Sequence, residues 1–260
     1  MAANVDRPYA LSPIQSIVSF LTFVGECGMI IADAIRRAPR RPFEIRETMN
    51  QMAFIGVASV PIVTLTGFFS GAVLSLYLSQ FLGQYGATNF VGATVGLTVT
   101  REVGPVIAGI MVAARCGSAM AAQIGSMAVT EQIDALKMLS VHPTNYLIIP
   151  RILAGLLMLP VLSMVCMWSG VVGGLLVAIT ERISYATFIH SVQQFVKPED
   201  FVKGMIKTPC FGLIVAVVAC QQGLRTKEGA VGVGRATTNT VVIGMVLIYI
   251  ANFLLARAMY

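Results

Sequence analysis

Four stretches of the chain carry no charged residue: Met52 to Leu82, Ile152 to Thr180, Thr208 to Leu224 and Ala236 to Ala256. A fifth, Gln84 to Ala114, is interrupted only by Arg101 and Glu102. A helix needs roughly 20 mainly apolar residues to cross a bilayer. The pattern therefore predicts five membrane helices, at about 52–82, 86–115, 147–180, 205–224 and 237–257. As a helix the first run measures about 46 Å against a hydrocarbon core of about 30 Å, so it must tilt, bend or re-enter. Pro61 offers a bend, and Gly67 with Gly71 makes a face of small residues suited to close helix contact. Gly92 with Gly96 and Gly170 with Gly174 repeat that spacing.

The segments between the apolar runs have their own patterns. Ser12 to Ala38 places Ile14, Ile17, Val18, Leu21, Val24, Ile30 and Ile31 at roughly helical spacing and ends in Arg36, Arg37, Arg40 and Arg41 around Pro39. This predicts an amphipathic helix on the membrane surface, with a short sixth span as the alternative. From Ser118 to Tyr146 the apolar Ile124, Met127, Ile133, Leu136 and Leu139 are interspersed with Glu131, Gln132, Asp134 and Lys137, and His142-Pro143 closes the segment. That predicts an amphipathic helix at about 119–142, which acts as a lever for a soluble partner or rests on headgroups. Glu181 to Lys207 reads as a polar loop with a short helix, and Arg225 to Arg235 as a glycine-rich loop.

Composition agrees with the pattern: 56% of residues are hydrophobic and 12% charged, against about 25% charged in soluble domains. The net charge of +6 does not gather on one face with interleaved aromatics, so nucleic-acid binding is not expected. It divides by topology instead. With the N-terminus in the cytoplasm, twelve basic residues, among them Arg115 and Arg151, fall on inner segments. Five fall on outer ones: Arg182, Lys197, Lys203, Lys207 and Arg257. The N-terminus is thus expected inside and the C-terminus outside. No cleavable signal peptide is read in the first apolar stretch, which Glu26 and Asp33 break. The five cysteines show no CxxC spacing and lie mostly in apolar helices, so they read as small core residues rather than disulfides or metal ligands.

Candidate chemistry is sparse. The glycines Gly229, Gly232 and Gly234 lack the Gly-Lys-Ser/Thr ending of a phosphate-binding loop, so ATP must be handled by another chain. No nucleophile with a base and no metal cluster is evident, and no resident cofactor is expected. Arg101 and Glu102 carry the most information, because an intramembrane charge costs at least about 2.5–3.5 kcal/mol. Either they face a polar cavity or a lipid headgroup, with the guanidinium suited to phosphate, or they form a structural pair or a helix break. Leu74, Leu78, Phe81, Leu82 and Tyr85 form a stripe toward the end of the first span. Alone, it reads as ordinary packing or a lipid-facing surface.

Thr100 to Arg151 contains Arg101-Glu102-x-Gly104-Pro105, then Gly117-Ser118-Ala119, then Glu131-Gln132 with Leu136 four residues on, and Gly232 to Val242 reads GVGRATTNTVV. In order and spacing these motifs resemble the MlaE family of permeases, which serve bacterial lipid asymmetry, chloroplast lipid import and Mce-associated transport. The resemblance covers most of the chain beyond the first 50 residues. It implies an all-α integral membrane protein: an interfacial segment over residues 1–51, then a permease domain over 52–260 with five spans. It also implies a homodimer at the centre of an ABC complex in the inner membrane. Separate cytoplasmic ATPase subunits would hold ATP and Mg, a STAS-domain protein commonly accompanies them, and an MCE-domain hexamer stands on the periplasmic side. In that family Glu131, Gln132, Asp134, Leu136 and Lys137 fall on the helix that docks the ATPase. The positions matching the phospholipid cavity include Leu74, Leu82, Tyr85, Arg101 and Glu102, which draws Leu78 and Phe81 into the same wall. A sterol or mycolate-like cargo, or a non-transporting scaffold, remains the alternative.

Overall fold

The computed structural model describes residues 13–37, 45–139 and 141–259. Arg7, Pro39, Arg40 and Arg41, and the side chains of Ile14 and Ile17, lie outside the described set. The described residues are almost wholly helical and contain no strand, so the chain is an all-α protein. Its helices are α1 (Pro13–Arg37), α2 (Ile45–Ile55), α3 (Val60–Gln84), α4 (Val91–Thr98), α5 (Gly104–Val112), α6 (Ser118–Val129), α7 (Gln132–Met138), α8 (Ile149–Thr180), α9 (Tyr185–Phe195), α10 (Pro198–Leu224) and α11 (Gly229–Met259).

Among the described residues five continuous segments are long and apolar enough to cross a membrane: Ile45–Gln84, Thr88–Val129, Thr144–Thr180, Pro198–Leu224 and Gly229–Met259. The chain is therefore a multi-pass membrane protein. Every span is longer than its uncharged core. The clearest difference is in the second, where α4, α5 and α6 run end to end through two π-helical turns, Val99–Val103 and Ala113–Gly117. Ser118 to Val129 thus continues a span, instead of opening a lever at 119 as the amphipathic pattern suggests. Its Met120, Ala121 and Ile124 are buried among the helices. Only Gln132–Met138 forms a separate short helix, set off by Glu131 in the left-handed region at φ 59°. The fourth span likewise starts at Pro198, so Lys203 and Lys207 belong to a membrane helix rather than to an outer loop.

Membrane helices gain nothing hydrophobic by leaving lipid for one another, so they associate through close packing and polar contacts. The α3–α8 pair uses the first device. A Cβ on Gly71 would land on the Gly170 carbonyl, one on Gly173 would meet that of Phe68, and one on Gly67 would lie 2.8 Å from the Cys166 carbonyl oxygen. The Gly67–Gly71 and Gly170–Gly174 pairs noted in the sequence thus lie on one seam, whereas Gly92 and Gly96 meet Phe188, Val192 and Val196 at α9. Pro61 stands in the first turn of α3, where no helical hydrogen bond is lost, and the break in the first span falls just before it at Val57–Ser59.

α1 packs against the Leu224 end of α10 and the start of the third span. Ala34 is buried there, Cys27, Ile30 and Ile31 join the same cluster, and Gln221 donates to Glu26 at 2.7 Å. Its other face exposes Val18, Leu21, Val24, Met29 and Ile35. At the opposite end of the bundle α9 lies over the start of α4, where the Ala93 amide donates to Ser191 Oγ at 2.9 Å. These two ends are called the α7 end and the α9 end below.

Candidate functional site

Pro105 organises the centre of the site. Lacking an N–H, it cannot bond the carbonyl four residues back, which is that of Arg101. The backbone there takes a π turn, and Lys207 Nζ donates to the freed Arg101 carbonyl at 3.1 Å. The same ammonium donates to Glu102 Oε1 at 2.6 Å and reaches Asn252 Oδ1 at 3.5 Å, while Asn252 Nδ2 donates to Glu102 Oε2 at 2.7 Å. All three ammonium hydrogens thus have acceptors, which is how a cation with 0% side-chain exposure is tolerated. Arg101 turns to α10, where its Nε and Nη2 lie 2.9 and 2.6 Å from Asp200 Oδ1. The other oxygen of Asp200 caps the helix by accepting the Lys197 amide at 3.0 Å. Gly204 makes the approach possible, since a Cβ there would strike the Thr100 carbonyl.

The cluster joins the second, fourth and fifth spans at one level, nearer the α9 end. It is not sealed. The side chains of Arg101 and Glu102 remain 38% and 37% exposed, so a ligand can reach both without unfolding the seam. The structural pair is thus present, in the form of Glu102 with Lys207 and Arg101 with Asp200, whereas the helix does not break at these charges but continues through a π turn. Lys207, Asp200 and Asn252 escaped the sequence reading. The signal for Lys207 was available in Pro105, whose orphaned carbonyl requires a donor from elsewhere.

The apolar stripe divides. Leu74, Leu78 and Leu82 are half-buried against Val91, Val95, Val99 and Phe188. Phe81 and Tyr85 are exposed and meet edge to face with ring centroids 5.3 Å apart. The described contacts do not bring the stripe onto Arg101 and Glu102, which face α10 and α11.

In the other π turns too a side chain donates to a backbone carbonyl, though no proline frees it. At Ala113–Gly117 the Ser118 hydroxyl donates to the Ala114 carbonyl, and at Thr144–Ile148 Arg151 Nη1 donates to the Leu147 carbonyl at 2.7 Å. Arg115 bridges the break in the first span, reaching Ser59 Oγ at 3.2 Å and the Phe54 carbonyl at 3.4 Å. Arg115 and Arg151 are therefore parts of helical spans, not of an inner loop. Pro209 leaves the Met205 carbonyl without its helical partner, and Thr208 Oγ1 takes it at 2.7 Å.

At the α7 end, Ile133 is buried and Leu136 packs inward, anchoring the short helix. Glu131, Gln132, Asp134 and Lys137 face outward, and Asp134 pairs with Lys137 at 2.7 Å. Met138 and Leu139, 88% and 74% exposed, add an apolar tip that the charge pattern did not single out. Nearby, burial raises the Asp33 carboxyl, but the Thr144 hydroxyl and Arg37 outweigh it and hold the group below its ordinary range. Burial, then the charge of Glu26, pushes the Cys27 thiol up to about 11, so this cysteine stays a protonated core group. Among the described residues no cluster of histidine, cysteine and carboxylates suits a metal ion.

The sequence profile of the family described as Permease MlaE matches residues 48–258. A probable ABC transporter permease protein of Rickettsia conorii is 38% identical over 244 residues, covering 94% of each chain. A protein of the same description from Synechocystis is 40% identical, covering 83% of this chain and 82% of its own. Protein trigalactosyldiacylglycerol 1, chloroplastic, of Arabidopsis thaliana is 35% identical over 88% of this chain and 65% of its own length. With motifs, five spans and near full-length similarity in agreement, the chain belongs to the MlaE family of ABC transporter permeases.

Proposed function

We propose that this permease moves phospholipid, and that Arg101 and Glu102 form the polar part of its path. The observation that carries the reading is the half-open charge cluster on the π turn at Arg101: a guanidinium within a membrane span, held by one carboxylate oxygen of Asp200 and still 38% exposed. A lipid phosphate offers the same two-oxygen geometry as a carboxylate, so it is suited to compete with Asp200 for Arg101. The name of the Arabidopsis relative is that of a glycolipid, which favours a lipid cargo. Leu74, Leu78 and Leu82 with the exposed Phe81 and Tyr85 supply apolar surface for acyl chains toward the α9 end.

An ABC permease works with ATPase subunits, and here α7 is the surface we assign to them. Glu131, Gln132, Asp134 and Lys137 offer polar contacts, Met138 and Leu139 an apolar tip, and the inward Leu136 ties the helix to the bundle. ATP and Mg would be held by that partner. The α7 end is then cytoplasmic. With the basic residues that fall inside a span removed from the loop tally, among them Arg46, Arg115, Arg151, Lys203, Lys207, Arg235 and Arg257, the rest still divide eight to two in favour of an inner N-terminus and an outer C-terminus. The remaining elements of the proposal are a homodimer in the inner membrane, an MCE-domain hexamer on the α9 side and a STAS-domain protein beside the ATPase. Lipid must bind the two conformations unequally for ATP to drive its movement.

The test is lipid transfer in proteoliposomes containing this chain with its ATPase and MCE partners, with and without ATP, for wild type and Arg101→Ala. ATP-dependent transfer that drops at least about tenfold in the variant is expected, as for loss of a charge-assisted contact. An intact complex that hydrolyses ATP without moving phospholipid would overturn the cargo. Copurified sterol or a mycolate-like lipid would name another, and no cargo at all would leave a scaffold.

A further inference from the structure

At the α7 end, α11 leaves α10 through a tight turn. Glu228 and Gly229 both take left-handed conformations, at φ 69° and 62°, and a Cβ on Gly232 would strike the Lys227 carbonyl. The turn is thereby pressed onto the first coil of α11, which fixes Arg225, Lys227 and Arg235 around one rim. Above that rim opens a groove of about 810 Å³, bounded by Phe23 of α1 and floored along α11 by Val242, Val246 and Ile250.

The depth of the groove can be read from its neighbours. Thr240 and Gly244 pack on the π turn Ala113–Gly117, whose Arg115 bonds Ser59 at the start of the α3 membrane helix. The uncharged run of α11 opens at Ala236, so Thr240 stands about 6 Å inside one edge of the hydrocarbon layer. Arg235 lies about 8 Å from Thr240 along the helix, at headgroup depth, and the stretch from Asn239 to Ile250 runs about 16 Å into the layer, close to one leaflet. Arg235 is partly neutralised by Glu228 at 3.1 Å, a well-exposed pair of small worth, and Arg225 by the half-buried Glu26 at a loose 3.7 Å. Among the described residues Lys227 has no ion-pair partner. The groove thus joins an apolar lane of leaflet length to a rim with a net positive charge.

We infer that this groove is a binding site for an anionic phospholipid of the surrounding leaflet at the α7 end, its headgroup on Lys227, Arg225 and Arg235 and an acyl chain along Val242 to Ile250. A free anion has no use for the lane, and a neutral lipid none for the rim. The site is separate from the Arg101 cluster, which lies toward the other end of the bundle, and it does not depend on the transport reading.

The experiment places a photo-crosslinking residue at Val242, which is 56% exposed, in the full chain reconstituted into nanodiscs of phosphatidylcholine with one-fifth phosphatidylglycerol. Adduct masses then report what occupies the groove. The ratio of phosphatidylglycerol to phosphatidylcholine adducts, taken relative to the same ratio in the bilayer, is expected at roughly five, the preference that one basic side chain confers at an anionic surface. Lys227→Gln, an exposed loop position, should bring the ratio to about one, and Lys227→Arg should preserve it. Millimolar inorganic phosphate should change nothing. Equal labelling of the two lipids by wild type, or adducts with a second copy of the chain or with its own first twelve residues, would overturn the inference. Arg101→Ala should leave the labelling intact whether or not it stops transfer, which separates this site from the proposed path.

Discussion

The α3–α8 seam and the seam joining the second span to α10 and α11 solve the same problem in opposite ways. Along α3–α8 the backbones touch: Gly67 and Gly71 meet Cys166 and Gly170 with no room for a methyl group. Along the other seam, ammonium, carboxylate and amide groups bridge the helices through Lys207, Glu102, Asn252, Arg101 and Asp200. Tight backbone packing has one good arrangement, because any shift produces clashes or voids. A network of charges has several, since each donor can exchange one acceptor for another. On the proposed transport reading, the contrast makes the first seam the stationary frame and the second the part expected to repack as cargo moves.

The largest effect is expected at Lys207. Lys207→Met removes the cation from beneath Glu102 and leaves a carboxylate among helices, at a cost of about 3–5 kcal/mol, read as a fall in thermal unfolding temperature in detergent. Pairing it with Glu102→Gln removes the stranded charge, so most of that stability should return. The double variant sharpens the comparison. Restored stability with abolished transfer assigns the charges to the working cycle, whereas restored stability with full transfer would reduce them to packing and erase the difference between the seams.

Gly71→Ala tests the other side. The added methyl group meets the Gly170 backbone, which has no flexible end to swing away, and the expected cost is about 1–3 kcal/mol by the same unfolding measurement. A cost below about 0.5 kcal/mol, the level of an ordinary surface substitution, would show that the helices part easily and that this seam is no frame.

The smallest effect belongs to charges outside the spans. The Asp33 carboxyl, bonded to Thr144 and Arg37, titrates below its ordinary value of 3.8. Its contribution to docking α1 is therefore complete above that value and is lost as pH falls through the lowered one. Protease cleavage within α1 should stay flat from neutral pH to about 4 and rise only below it. A rise between pH 5 and 6 would point to another group.

Much of this was legible in the chain. Uncharged runs of span length predicted five membrane helices, and the Gly67–Gly71 spacing marked a close contact, because hydrocarbon thickness and helix geometry act on local sequence alone. The Arg101-Glu102 pair announced a polar site by its cost. The extent of the helices was harder to read. Lys203 and Lys207 look like loop residues, and Ser118 to Val129 looks amphipathic, because an ordinary hydropathy pattern scores a lysine without knowing what satisfies it.

The sequence by itself thus determined the number of spans, their small-residue faces and the presence of an intramembrane charge, all consequences of composition over a few helical turns. Tertiary structure decided which charges meet. Lys207 stands more than a hundred residues from Glu102, and Asn252 lies farther still. Only the packing of three spans brings a proline-orphaned carbonyl, a carboxylate and an amide within reach of one ammonium, and only that convergence makes a buried lysine stable.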